Sequence, residues 1–506
     1  MLLLNGNTLA LEQLEAVAER FEPVALDPRA AAAVDAARAV VDRAANSDDA
    51  TYGINTGFGA LADVKIPKAS LEALQRNLLR SHAAGVDQPL RVPAVRAMMA
   101  LRANVLAKGY SGVRRTTLDA LIAALNARVH PVVPSRGSVG ASGDLAPLAH
   151  LALVLIGEGM AVVGDDETPL DGRAALARAG LAAIDLGPKE GLALINGTQA
   201  STAVAALAVL GAERLARAAD VAAALSIDGL RGSFHPFEAR LHDPRPYPGQ
   251  QRSAANLFAL LQQSGINASH ANCGRIQDAY SMRCAPQVHG AARDAFAHAR
   301  RTLEIEANAA TDNPMVFADT GDIVSGGNFH GAPVALASDV IALGLVQLAT
   351  ISERRSDRLV NPTLSGLAAF LTRDGGLNSG YMLAQVTAAA LVSELKTLAH
   401  PASADSIPTS ANREDHVSMS MAAALKAERA LELATRVLAI EILLACQAVD
   451  LLAPLETSVA LSAVHRCVRS AVPTLAADRP PAPDIEAISK LITHGTLQRS
   501  CAIEVK

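Results

Sequence analysis

Apolar and polar positions follow two patterns along the chain. Up to about residue 110, short stretches with helical apolar spacing are interrupted by a glycine-rich loop, Tyr52-Gly53-Ile54-Asn55-Thr56-Gly57-Phe58-Gly59. From residue 111 onward, apolar positions recur at helical spacing over long runs separated by Gly/Pro breaks, which predicts long helices. One predicted helix spans about Met421 to Leu452. Its first half is amphipathic and carries Glu432 and Arg436 at the spacing that lets opposite charges pair on one face. Its second half, Val437 to Val449, has Glu441 as its only charge and must be buried on every side, in a bundle core or between subunits. Pro401, Pro408, Pro454 and Gly375-Gly376 end helices rather than sit inside them. No fixed-period repeat or low-complexity linker is visible. The pattern therefore predicts a mainly α protein. A smaller mixed N-terminal domain covers 1–110, a helical bundle domain covers 111–506, and leftover apolar faces make an oligomer the expectation.

Composition sharpens this picture. Across 506 residues, hydrophobic residues make up 50% and charged residues 19%, which argues against disorder. The apolar share is Ala, Leu and Val, with aromatics at 3% and no Trp, a bias towards strong helix formers. A net charge of -5 leaves no basic surplus for a phosphate backbone, and there are few aromatics to stack on bases, so nucleic acid is not an expected partner. Cys273, Cys284, Cys446, Cys467 and Cys501 are widely spaced and contain no CxxC, which reads as reduced thiols in a cytoplasmic protein. The N-terminal MLLLNGNTLALEQLEAVAERF lacks a basic n-region, and the run after Ala203 stops at Glu213-Arg214. Neither a signal peptide nor a membrane helix is expected.

The most informative stretch is Pro134 to Pro147, PSRGSVGASGDLAP. A phosphate loop would need Gly-Lys-Ser/Thr to follow and a regular strand to precede it, and neither is present. A hydrolase elbow around Ser142 would need Gly where Asp144 stands. A helix N-terminus fits, with Asp144 and Pro147 in a first turn leading into Leu148 to Gly157, and is compatible with chemistry nearby.

The loop resembles that of the aromatic amino-acid ammonia-lyase family, in which Ala-Ser-Gly cyclises into a methylidene-imidazolone ring. Here Ala141, Ser142 and Gly143 would form it. The amide nitrogen of residue 143 must reach the carbonyl carbon of residue 141, and glycine removes the Cβ that would obstruct so tight an approach. Loss of the Ser142 hydroxyl then leaves an exocyclic methylene as an electrophile. No ordinary side chain is electrophilic, so the ring stands in for a diffusible cofactor. A helix N-terminus beneath it would favour negative charge spreading onto the ring.

Matching segments run from about residue 50 to residue 450. The resemblance implies a long central helical bundle of fumarase/aspartase-like lyase architecture and a homotetramer with shared active sites. It places Tyr52 as the catalytic base, although tyrosine's ordinary pKa near 10 requires tuning; the flanking glycines suit a mobile lid. Asn196, in Leu194-Ile195-Asn196-Gly197-Thr198-Gln199, would contact the ring and substrate, while its local reading is a turn Asn before Gly. Gln277, Tyr280 and Arg283 are three residues apart and on a helix would share a broad face, with Arg283 suited to grip a carboxylate. Phe329, in Ser325-Gly326-Gly327-Asn328-Phe329-His330, matches a pocket residue.

Two positions bear on the substrate. His82 matches a substrate-ring contact of the histidine and tyrosine branches, where the phenylalanine branch has Phe, and the following Ala83 is more like the histidine branch. Glu414, in Asn412-Arg413-Glu414-Asp415-His416, stands where the phenylalanine and tyrosine branches carry Gln-Asp. A carboxylate facing an imidazole makes a charge-assisted hydrogen bond worth roughly 1.5–3 kcal/mol, and a phenyl ring would leave it unpaired. The implied reaction is elimination of ammonia from L-histidine to give trans-urocanate. The alternative is a tyrosine or phenylalanine lyase, or an aminomutase, on the same ring. Leu395 and Arg413 depart from the histidine pattern, and Arg413 brings a cation beside Glu414. His400 and His416 have no recognisable ligand spacing, so no metal is expected.

Overall fold

A computed structural model describes residues 1–271, 274 and 276–506. It is mainly α, as the apolar periodicity predicts, and the chain divides into two compact units. Unit one comprises 1–207, 300–338 and 401–425; unit two comprises 208–299, 339–400 and 426–506. This division differs from the expected 1–110 and 111–506, because elements after residue 110 pack among those before it.

Among the described residues, every strand lies in unit one. Leu2–Leu4 pairs in parallel with Val24–Leu26, and Val86–Pro89 pairs antiparallel with Pro134–Arg136. Val129–Pro131, Met160–Val163 and Asp166–Asp171 make a three-stranded antiparallel sheet, and Met315–Phe317 pairs with Asp322–Val324. Four helices matter for the site: α1 (Leu71–His82), α2 (Val92–Ala107), α3 (Leu145–Leu155) and α4 (Glu190–Ile195). Helix α2 is buried almost all round, Arg96 and Arg102 included.

Unit two is built on the longer helices α5 (Gln199–Gly229), α6 (Ala285–Glu306), α7 (Ala332–Val360), α8 (Met382–Leu398) and α9 (Ser420–Leu451), or the parts of them within its ranges. Small residues let these helices approach closely. A Cβ on Gly211 would stand 2.4 Å from Leu431 Cδ2, and one on Gly344 would stand 2.5 Å from Phe296 Cε1. Val437, Leu438, Ile440, Ile442, Leu443 and Leu444 have no exposure at all, so this segment is already buried within one chain and leaves nothing over for a partner. Its one charge, Glu441, is held by Arg355 (Nη2–Oε2 2.9 Å) and by the Ser226 hydroxyl (2.7 Å).

Three local expectations are corrected. Arg436 donates to Glu486 (2.7 Å) rather than pairing with Glu432, whose carboxylate instead accepts from Arg429 (3.1 Å). Only Tyr280–Arg283 forms a helical turn, so Gln277 shares no helix face with it. The helix after the tripeptide begins at Leu145 with Pro147 in its first turn, as expected, but Asp144 stands at its N-cap without capping it. Cys284, Cys446, Cys467 and Cys501 are free thiols, and Cys273 lies outside the described residues. Helix α7 alone among the described residues is long and apolar enough to cross a membrane. Yet 72% of its most apolar window is buried in the protein, the condition of a core helix.

Candidate active site

Unit one brings the tripeptide, Tyr52, His82, Asn196, Phe329 and Glu414 together in one body. Ala141 is buried against Val417 and Met419. Two ties lash this side of the loop to 417–419: Met419 N donates to Val139 O (2.8 Å) and the Ser418 hydroxyl donates to Gly140 O (3.0 Å). On the other side Gly143 bridges Gly197, and Asp144 N donates to Gly197 O at 2.7 Å. Gly143 has φ +72°, and a Cβ there would meet Gly197 O at 2.2 Å. Glycine is thus required by the wall behind the loop as well as by ring closure.

The Asp144 carboxylate reaches across to the first turn of α5. It accepts from Ser201 N (2.7 Å) and from the hydroxyls of Ser201 (2.8 Å) and Ser138 (2.9 Å). Burial pushes its pKa up, and these neutral donors offset that only in part. Glu306 is similar: burial raises it, and its partner is the Thr198 hydroxyl. Sequence reasoning missed both residues; the only local signal was an Asp directly after the tripeptide.

Ser142, half-buried, donates its hydroxyl to Glu414 Oε1 at 3.1 Å. Glu414 is aimed by Thr409, whose hydroxyl bonds the second carboxylate oxygen (2.6 Å), across a Thr409–Glu414 backbone bridge. Between them Ser410, Ala411 and Asn412 all have left-handed φ (52°, 50° and 67°). Such residues cost of order 1–3 kcal/mol each and concentrate where function over-determines geometry. Arg413 turns away to Asp63 (3.7 Å), both largely exposed, so it does not compete for Glu414.

Tyr52 lies in a turn closed by Asn55, whose side chain accepts from Thr51 N (2.7 Å) and donates to Asp49 O (2.9 Å). Burial raises the Tyr52 pKa against a hydrogen bond from the Gly59 backbone, and the Glu414 charge raises it further. His82 ends α1. Its Nδ1 stands 2.9 Å from Leu78 O, an atom that can only accept, so the proton sits on Nδ1 and Nε2 is left as an acceptor. Burial lowers the His82 pKa, opposed by that carbonyl and by Glu414.

Asn196 ends α4 and donates through Nδ2 to Asn313 O (2.8 Å), while its Oδ1 is buried without a partner. Asn313 in turn accepts from Gly326 N (2.8 Å), tying in the segment that carries Phe329. Phe329 is half-buried, and the adjacent His330 stacks on His416 (5.8 Å, 3°).

Gln277, Tyr280 and Arg283 lie in unit two. Arg283 donates to Gln277 Oε1 (3.0 Å) and Asp278 O (3.0 Å) and stands 4.7 Å over the Tyr280 ring, all neutral partners that leave its charge available. Tyr280 is 72% exposed. Leu395 is buried within α8. The described residues contain no cluster of three or more metal-ligating side chains.

A family model described as aromatic amino acid lyase matches residues 9–470. A histidine ammonia-lyase of Anaeromyxobacter sp. (strain K) is 58% identical over 504 residues, covering 98% of this chain and 99% of that one. The histidine ammonia-lyase of Myxococcus xanthus (strain DK1622) is 56% identical, covering 98% and 97%. Among solved structures, histidine ammonia-lyase from Trypanosoma cruzi matches with TM-score 0.92 at 46% identity, covering 99% of this chain and 94% of that chain. Tyrosine aminomutase from Streptomyces globisporus matches with TM-score 0.95 at 39% identity and full coverage of both.

Proposed function

Because the chain belongs to the aromatic amino acid lyase family, we propose that it is a carbon–nitrogen lyase that eliminates ammonia from L-histidine to give trans-urocanate. The electrophile is a methylidene-imidazolone closed from Ala141, Ser142 and Gly143. The observation that carries this reading is the Glu414 carboxylate, aimed at Ser142 by Thr409 and free of Arg413.

Ring closure balances as two dehydrations. The Gly143 nitrogen bonds to the Ala141 carbonyl carbon, and that carbonyl oxygen leaves as water with the amide protons of Gly143 and Ser142. The Ser142 hydroxyl then leaves with the Ser142 Cα proton as a second water. The residues fit the product, since only glycine is tolerated at 143 and the loop precedes the positive end of α3. The ring supplies an electrophile that makes the substrate's amine a better leaving group.

The chain's own groups do the rest. His82 and Glu414 seat the imidazole of the substrate, with Glu414 accepting from its N–H, a bond a phenyl ring cannot make. Tyr52 takes the β-proton. Its raised pKa puts the active, deprotonated form on the alkaline side, so kcat/KM rises with pH above neutrality. We further propose a homotetramer with shared active sites, in which Gln277, Tyr280 and Arg283 of another copy complete each site and Arg283 holds the substrate carboxylate. The exposed Tyr280 and the neutral hydrogen-bond partners of Arg283 support this.

Intact mass tests the ring: the purified chain should be lighter than its sequence by two waters, and a full mass would remove the mechanism. Offering His, Tyr and Phe separately tests the substrate, and faster turnover of Tyr than of His would overturn it.

A further inference from the structure

We infer that Arg102 is a positioning residue for ring closure, holding the Asn196-Gly197 peptide as the wall against which Ala141-Ser142-Gly143 folds. The inference rests on the ring reading above. Arg102 projects from α2 and has no exposed surface. Its Nη1 donates to Asn196 O (2.9 Å) and Gln199 Oε1 (2.6 Å), and its Nη2 donates to Ala193 O. It thus satisfies carbonyls at the C-terminal end of α4, the negative end of that helix.

The packing leaves no slack. A Cβ on Gly197 would lie 2.5 Å from Arg102 Nη1, and a Cβ on Gly143 would lie 2.2 Å from Gly197 O. Guanidinium, Gly197 backbone and Gly143 backbone are therefore three layers in direct contact, each interface too thin for a side chain. The Gly143 nitrogen belongs to the third layer. Any retreat of the second widens its distance to the Ala141 carbonyl, and intramolecular closure loses effective molarity steeply with misplacement.

The acceptors of Arg102, Asn196 O, Gln199 Oε1 and Ala193 O, are neutral oxygens, and its Nε is buried without a partner. Burial of a cation on such terms is costly, and the charge of Asp312 offsets that cost in part. Burial draws its pKa down to about 10, which leaves it charged at neutral pH. The same helix supplies an internal control. Arg96 is equally buried, is also drawn down to about 10, and donates to the carbonyls of Val17 (2.9 Å) and Leu125 (3.0 Å), none of which touches the tripeptide or its wall.

The test is intact mass on the purified full chain and three variants, Arg102→Met, Arg102→Lys and Arg96→Met, with thermal unfolding measured alongside. Both Met variants should lose thermal stability. Arg96→Met should still be lighter by two waters, whereas Arg102→Met should keep most of its chains at full mass. Arg102→Lys, which restores a cation that can reach Asn196 O, should mature, but about tenfold more slowly in a time course after cell-free synthesis. Arg102→Met that matures completely and turns over like the parent would overturn the inference. If Arg102→Met does not fold, Arg102→Lys decides: delayed maturation supports the role, and parental timing overturns it. A parent chain at full mass would instead bring down the ring reading itself.

Discussion

Asp144 in unit one and Asp220 in unit two are the same residue type and equally inaccessible, yet the protein treats them in opposite ways. Asp220 accepts from Arg293 (2.6 Å), His289 (2.8 Å), Ser253 (2.6 Å) and Asn256 (2.8 Å). Burial alone would raise its pKa, but the Arg293 and His289 partners overcome this and pull it to about 2. Asp144 is held by an amide and two hydroxyls, with no cation, and is raised. Around the tripeptide, carboxylates meet neutral donors and Arg102 meets neutral acceptors. In unit two, Glu441 meets Arg355 and Asp220 meets Arg293. The difference lies in the partners: cations hold Asp220 and Glu441, while neutral donors leave Asp144 raised.

The largest expected effect tests this separation at its centre. Ser142→Ala should abolish turnover while leaving the unfolding midpoint near that of the parent; unchanged activity would refute the assignment. Glu441→Ala should do the reverse. It strands the buried Arg355 and should cost about 3–5 kcal/mol in urea unfolding, while the folded fraction still carries the two-water mass loss.

A smaller effect follows from the signs of the two aspartates. The folded pKa of Asp220 lies below its ordinary 3.8, so its contribution is full above that value and is lost as pH falls through about 2. The stability gap between Asp220→Asn and the parent should therefore close between about pH 4 and pH 2. The folded pKa of Asp144 is raised, so its contribution is present at acid pH and lost as pH rises, and the gap for Asp144→Asn should shrink in that direction instead. Parallel pH profiles for the two variants would erase the distinction. The smallest effect belongs to Arg413→Gln. An exposed pair with Asp63 is worth roughly 0–1 kcal/mol, so kcat/KM for histidine should stay within about twofold. A large change would mean that Arg413 acts on Glu414 after all.

The local features were legible in the sequence. The helix observed at Ser420–Leu451 was expected at Met421 to Leu452 from the apolar pattern, and the family resemblance picked out the tripeptide and Glu414. Long-range pairings were not legible. The helical spacing of Glu432 and Arg436 predicts a pair, but Glu486, 50 positions from Arg436, competes for the guanidinium. Asp144 reads as a cap for the helix it precedes, yet it serves the helix that starts at Gln199. Arg102 sits in an apolar helix where nothing in the adjacent residues distinguishes it from Arg96. The apolar run 437–449 reads equally as core or as subunit interface, and only the packing of the other helices decides between them.

The ties that hold the tripeptide join distant parts of the chain: Asp144 to Ser201, 57 positions on, and Ser142 to Glu414, 272 positions on. Translation at about 5–20 residues per second puts roughly 14–54 s between the synthesis of Ser142 and that of Glu414. A nascent or truncated chain therefore holds the three residues without the surroundings that bring them to react. On the ring closure proposed above, the tripeptide gains the surroundings that close it only after Glu414 has been made, so the electrophile forms inside a chain already able to enclose it.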